Sequence, residues 1–493
     1  MKNKHQINRK LMFIFLFLNL MIYGKGFAQI TGSLFMLQNN FYAQMYNPSY
    51  MRTDNATEIS IAGFGGFSFI NQGSFKISDL ITTAGGNPVI DFDNFYKHVE
   101  PNNFIRQDFS IPMAFLSMPL KNGVFSFYYK ENLSSIMNFK DNVVEFLVNG
   151  NLAPGYQNFS SDEMNLLSMG YREFAFGYAK NLNSILDVGL RAKLLFGAAF
   201  LNADNWIFDI KSAPQGEVVT LSSGGGGRLV LPVPVILNSD NSINTIESEN
   251  AVLKYFGAYK NPGFAIDAGA TYYLDEKSTI SVSVRDLGGI WNRFNSMNMI
   301  QNDSYDFVGF DLVSAVRYPE EQGYEAPQFL VKQEKDSVTG VYQPIVEDNK
   351  FVLALAPKTL VHYQYLYSDK HSFGITNQTA FQNNNLLNIF TLTAMQSWLN
   401  LSVFENLNLH GVNDISLGGG VQYEGNFVQA FLATDNLIAF YHPANNKTFS
   451  ITAGLCLLLN HKKDAKSKNM KKRNGKISPA LPFYKQLGKM PSP

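Results

Sequence analysis

Cys456 is the only cysteine in 493 residues, which excludes an intramolecular disulfide. An exported fold of this chain must therefore be held by packing or by a closed hydrogen-bonded ladder. Charge is also scarce. Asp, Glu, Lys and Arg make up 16% of the chain, against about 25% in a soluble domain. Beyond Ala28 no apolar run approaches the roughly 18 residues that a transmembrane helix needs, so any membrane crossing must use strands. The histidines His98, His362, His371, His410, His442 and His461 show no H-x-x-x-H spacing, and no G-x-S-x-G elbow occurs. Neither catalysis nor a metal or cofactor site is predicted. Ser222–Arg228 is glycine-rich but lacks the Gly-Lys-Ser/Thr ending of a phosphate loop, and it reads as a flexible loop.

The start of the chain carries an export pattern. Lys2, Lys4, Arg9 and Lys10 precede an apolar run from Leu11 to Tyr23, and Gly26-Phe27-Ala28 places small residues at a cleavage position. This predicts a signal peptide over 1–28 with Gln29 as the mature N-terminus. The net charge of zero hides an asymmetry. The signal peptide holds five of the 40 basic residues and the segment after Asn460 holds ten. The middle keeps 25 bases against 39 of the 40 acids, a net charge of −14. An acidic body argues against nucleic acid as a partner. The basic tail over 460–493 is expected to be disordered.

Period-two alternation dominates the rest. From Leu186, the residues Leu186, Val188, Leu190, Ala192, Leu194 and Phe196 share one face, with Asp187, Gly189, Arg191 and Lys193 opposite. Leu195 breaks the pattern. Phe125, Phe127 and Tyr129 alternate with Ser126, Tyr128, Lys130 and Asn132; Phe174, Phe176 and Tyr178 alternate with Glu173, Ala175 and Gly177. Phe264, Ile266, Ala268, Ala270 and Tyr272 face away from Asp267, Gly269 and Thr271, and Val282 and Val284 from Ser283 and Arg285. Ile415, Leu417, Val421 and Tyr423 oppose Gln422 and Glu424, and Phe449 to Leu459 closes the series with Cys456 on the polar side. Tyr128, Tyr129, Tyr272 and Tyr273 are expected in an interfacial girdle.

The fold class expected is all-β: a transmembrane antiparallel up-and-down β-barrel of about 14 strands, spanning 57–459. A soluble sandwich also alternates, but aromatic enrichment, strand number and alternating turn lengths favour the barrel. Tight turns are expected at 181–183, 275–277, 368–370 and 424–426, and a short helix within Asn138–Asn149. Long polar outer loops are expected over roughly 203–262 and 291–350. The polar face would enclose a lumen bearing Lys130, Glu173, Asp187, Arg191, Lys193, Asp267, Arg285 and Glu424. Their expected role is to cross-link the wall, with solute steering the alternative.

Several segments resemble a known family. Asn47-Pro48-Ser49 resembles the element near the N-terminus of FadL-like and PorV/PorP-like barrels. Tyr171–Gly197, Asn261–Leu274 and Val284–Trp291 resemble hairpins of an uncharacterised Bacteroidota outer-membrane barrel family of unknown function. Gly418–Asn436 is similar to its closing hairpin, with Gln429, Asp435 and Asn436 at recurring polar positions. The resemblance implies an outer-membrane barrel with an N-terminal plug over 29–56 and no enzyme chemistry. Two functions follow as expectations. One is FadL-like passive passage of a hydrophobic or small solute; the other is protein binding in a type IX secretion or gliding apparatus. In the second, the basic tail would hold periplasmic or secretion-system proteins. Outer-membrane lipid is the expected surrounding in both.

Overall fold

The computed structural model describes residues 32–37, 39–50, 52, 56–61, 65–149, 158–161, 164–212, 219–239, 241–246, 249–307, 345–382, 385–410 and 414–460. The predicted signal peptide and the basic tail after residue 460 lie outside them. Among the described residues no helix is long and apolar enough to cross a membrane.

The chain builds one large antiparallel sheet that closes on itself. Besides the short strands Asn158–Ser160 and Ile345–Asp348, its strands are β1 (Thr57–Ile61) and β2 (Phe67–Gly73), β3 (Asn102–Leu120), β4 (Gly123–Lys140), β5 (Met164–Asn183), β6 (Leu186–Ser212), β7 (Val219–Val230), β8 (Asn261–Tyr273) and β9 (Ser278–Asn292). They continue as β10 (Ser296–Phe307), β11 (Phe351–Ala354), β12 (Lys358–Leu366), β13 (His371–Gln382), β14 (Asn385–Ser397), β15 (Leu401–His410), β16 (Asp414–Glu424), β17 (Val428–Thr434) and β18 (Thr448–Leu459). Neighbours in sequence pair around the ring, and β1 and β2 close it by pairing with both β18 and β3. Among the described residues β3 to β9 and β12 to β18 pair on both sides, so the crossing part of the ring presents no open edge of the kind that lipid forbids.

Tight connections gather at one end. Two residues separate β3 from β4, two separate β5 from β6, and bends at 275–277, 367–370 and 426–427 make three more. The turn expected at 181–183 sits later, because Asn181 and Asn183 still pair with β6. At the other end the expected short helix forms as α1 (Asp141–Asn149).

Of the loops expected over 203–262 and 291–350, residues 203–212, 219–230, 296–307 and 345–348 are sheet, and 308–344 lie outside the described residues. β6 runs for 27 residues, and its upper part pairs with β7 while its lower part pairs with β8. β7 and β8 thus lie end to end along β6, interrupted by an insertion over 231–260. β9 and β10 lie end to end in the next position. The glycine-rich run Ser222–Arg228 is inside β7, paired residue by residue with β10. These stretches lack apolar alternation because a tilted strand needs only about 9–11 residues to cross hydrocarbon. Beyond that height the ladder still satisfies the backbone, and its side chains are free to be polar.

The apolar side of the alternation faces outward. Leu190 is 64% and Leu194 47% exposed, while Arg191 and Lys193 between them are 2% exposed. Leu195 turns inward and joins Tyr171, Ala265, Ile290 and Leu355 in an interior cluster. Tyr128 corrects the girdle expectation. It is consecutive with Tyr129, so only one of the two can face out; Tyr129 stacks on Phe174 while Tyr128 is buried. Tyr273 also turns in, donating to Asp187 at 2.8 Å.

One outward charge pair was not foreseen. Arg172 lies between the inward Tyr171 and Glu173 and so faces out, where its Nε is 3.4 Å from Glu131 Oε1. The insertion covers it. Arg172 donates to the carbonyls of Tyr255 and Phe256 at the end of α2 (Ala251–Phe256), and its guanidinium stacks 4.4 Å over the Tyr259 ring. The pair is buried, so removing one partner costs about 3 kcal/mol or more. Replacing Arg172 by Met is expected to release 231–260 to added protease while the ring persists. Protection equal to wild type in limited proteolysis would show that the pair does not hold the insertion.

Candidate functional site

The inward side chains of six neighbouring ring strands converge near mid-height. β4 supplies Tyr128 and Lys130, β5 Glu173, β6 Arg191 and Lys193, β8 Asp267, β9 Arg285 and Asp286, and β12 Lys358. Lys193 is the hub. Its Nζ lies 2.9 Å from Glu173 Oε1, 2.9 Å from Asp267 Oδ2 and 2.6 Å from Asp286 Oδ1. Around it, Arg191 reaches Asp267 at 3.2 Å, Lys358 reaches Asp286 at 2.8 Å, and Lys130 stands 3.6 Å from Glu173. Tyr128 donates its hydroxyl to Glu173. Every carboxylate of the cluster therefore meets at least two cations or donors, which offsets a desolvation penalty of several kcal/mol per ion.

Strict alternation would place Arg285 and Asp286 on opposite faces. Instead Asp286 adopts φ 63°, and the register between β8 and β9 shifts there. The bulge brings Asp286 inward beside Arg285, and the Asp286 amide donates to Asp267 Oδ1 at 2.9 Å. Asp286 and Lys358 were missed in the sequence for this reason and because Lys358 sits in a stretch without clean alternation.

The remaining predicted positions lie elsewhere in the ring. Asp187, near the tight-turn end, accepts from Asn181 and Tyr273. Glu424 accepts from Arg52 at 3.2 Å, and Arg52 also reaches Glu58 at 3.3 Å. Asp435 accepts from Ser450, and Asn436 caps α3 (Leu437–Tyr441) by accepting from the Ala439 amide.

The N-terminal segment lies within this ring of inward groups. The helix Phe41–Tyr46 is buried, with Phe41 and Tyr42 packed on Phe115 and Phe431 from strands on different sides of the closure. Asn40 donates to Gln422, Gln429 accepts the Phe41 amide, and Arg191 donates to the carbonyls of Gln44 and Met45. Asn47-Pro48-Ser49 docks against Gly189 and Gly269, which are register partners on β6 and β8. A Cβ on Gly189 would stand 2.1 Å from the Pro48 carbonyl oxygen, and one on Gly269 would stand 2.1 Å from Asn47 Oδ1. Two glycines side by side make the notch that the segment enters. Asn47 Oδ1 accepts from the Ser49 amide and hydroxyl, and Ser49 Oγ is 2.8 Å from Thr271 Oγ1.

Above Tyr46, toward the long-loop end, a cavity of about 120 Å³ remains. Arg106, Asp108, Lys130, Arg285 and Lys358 line it, with Ile70, Met169, Tyr171 and Leu355. Arg106 pairs with Asp108 at 2.7 Å. Arg285 lies 4.5 Å over the Tyr46 ring and has no ion-pair partner among the described residues. Among those residues no group of three or more His, Cys, Asp or Glu is arranged to hold a metal ion.

The model of a family of unknown function, DUF5723, matches residues 49–435. No curated protein matches the chain. Among solved structures, a FadL homologue of Pseudomonas aeruginosa is similar at 10% identity, covering 89% of this chain and 97% of its own, with a TM-score of 0.43. The toluene transporter TbuX of Ralstonia pickettii is similar at 10% identity, covering 85% of this chain and 92% of its own, with a TM-score of 0.38. The translocator domain of the autotransporter NalP from Neisseria meningitidis scores 0.30 at 7% identity, covering 86% of this chain and 94% of its own.

Proposed function

The chain belongs to the DUF5723 family of unknown function, and from that premise we propose that it is an outer-membrane β-barrel giving passive passage to a hydrophobic or small solute. Residues 29–56 act as its plug. The observation that carries this reading is the division of the closed sheet into an apolar outside and an ionic inside that an internal segment fills. Outward Leu190, Leu194, Phe264, Ile266, Leu417 and Leu457 are exposed, and in water such a continuous apolar band would be a liability. In lipid it is the required surface, because the strands that carry this band, β6, β8, β16 and β18, find both neighbours within the ring. The cavity above Tyr46 lies on the axis that a solute would follow, and the docked segment stands below it.

A reversible lock tests the passage. Ser49 and Thr271 touch through their hydroxyls, so a Ser49→Cys, Thr271→Cys pair is placed to join the segment to the wall. Cys456 is buried and does not compete. Cells carrying the protein are expected to take up the hydrophobic dye N-phenylnaphthylamine faster than cells without it. Oxidation of the pair should stop that gain and reduction should restore it. Uptake indifferent to the lock, or recovery of the chain as a soluble periplasmic protein, would overturn the proposal.

A further inference from the structure

We infer that the cavity above Tyr46 is a binding site for a small organic anion, a carboxylate carried on a compact apolar body. The inference deepens the transport reading, since it places this site on the proposed path, but its chemistry stands on the cavity alone.

Four cations reach the lining, Arg106, Lys130, Arg285 and Lys358, against the single carboxylate of Asp108. The surplus persists when the next shell is included. Arg191 and Lys193 stand behind the lining together with Glu173, Asp267 and Asp286, so six cations face four carboxylates. Arg285 is the unsatisfied member. It is 6% exposed, its Nε has no hydrogen-bond partner, its guanidinium lies over the face of Tyr46, and no carboxylate stands at ion-pair distance among the described residues, the neighbouring Asp286 being engaged by Lys193 and Lys358. A guanidinium desolvated to that degree without a carboxylate paired to its fork is costly, and a planar anion matching that fork reduces the cost. Alternation alone turns Arg285 inward, and the bulge at the next residue brings Asp286 to the same side without an ion-pair contact to the Arg285 guanidinium.

The rest of the lining sets the body of the ligand. Ile70, Met169, Leu355 and the rings of Tyr46 and Tyr171 offer an apolar wall beside the cations. At about 120 Å³ the cavity is well below the roughly 300 Å³ of a drug-sized site. A carboxylate with a small flat body satisfies charge, shape and size together. A bare inorganic anion satisfies only the first.

Benzoate and benzyl alcohol share a body and differ in charge, so they separate the contributions. Calorimetric titration of the full chain in detergent is expected to show benzoate binding at least about tenfold more tightly than benzyl alcohol. Inorganic phosphate should bind more weakly than benzoate. Arg285→Gln should lower benzoate affinity about tenfold while leaving benzyl alcohol unchanged, and Arg285→Lys should recover part of the loss. Heat-modifiable gel migration of each variant separates a lost site from a lost fold. Equal affinity for benzoate and benzyl alcohol, phosphate binding as tight as benzoate, or an Arg285→Gln variant that keeps benzoate affinity would each overturn the inference. Benzoate binding in a protein whose dye uptake ignores the plug lock would leave this site standing and remove the transport reading.

Discussion

Replacing Lys193 by Met is expected to destabilise the barrel by about 3–5 kcal/mol, the largest loss foreseen for a single inward side chain. The ammonium of Lys193 lies within 2.9 Å of Glu173, Asp267 and Asp286, and its side chain is 2% exposed. Methionine fills a similar volume, so packing is nearly conserved and the lost charge dominates. Arg191, Lys130 and Lys358 still reach the three carboxylates, which keeps the loss near the value for one broken buried pair rather than three. The cluster ties together the neighbouring strands from β5 to β12, so its loss weakens that side of the ring. The measurement is the urea midpoint of the heat-modifiable gel shift. A second substitution, Asp286→Asn, should return part of the loss, because it removes a carboxylate that Lys193 no longer compensates. A variant as stable as wild type would mean that water enters the cluster and screens it.

Gly189→Val is expected to unseat the N-terminal segment without opening the ring. The new Cβ would lie 2.1 Å from the Pro48 carbonyl oxygen and 2.7 Å from the Ser49 amide nitrogen, both backbone atoms that cannot rotate away. Overpacking of this kind costs about 3 kcal/mol, which lowers the docked population more than a hundredfold relative to the undocked one. Valine suits a strand, so β6 itself loses little. Three signs should appear together: conductance through planar bilayers, sensitivity of cells to large hydrophilic antibiotics, and cleavage near Asn47 by added protease. Gly269→Val should act in the same direction, through Asn47 Oδ1 instead of the backbone. A Gly189→Val protein with a closed lumen and an uncleaved segment would show that Arg191 and Gln429 hold the segment without the notch.

The two substitutions separate what reading the chain can and cannot supply. Arg191, Lys193, Asp267 and Glu173 were legible as inward groups because side chains alternate with period two, and one apolar face decides the sense of the whole strand. Arg172 and Glu131 follow the same rule but violate its chemical expectation. They are charged residues on the outer face, tolerated because the insertion after β7 folds back over them. Asp286 broke the rule itself, through a residue with positive φ that no local signal announces. Ser222–Arg228 failed in the opposite way, since a glycine-rich stretch carries no alternation to read even when both neighbouring strands pair with it.

By itself, the sequence determined that this chain folds as alternating strands and which face of most of them is apolar. Those are local properties, written in residues two positions apart. Only the tertiary structure decided that Arg52 meets Glu424 across 372 positions, that Lys193 gathers three carboxylates from three strands, and that Arg285 is left beside a cavity. Partner choice inside a closed ring depends on the register of each strand against the next. A register is a relation between distant segments, set by bulges and by what the lumen must hold, and no single stretch of sequence contains it.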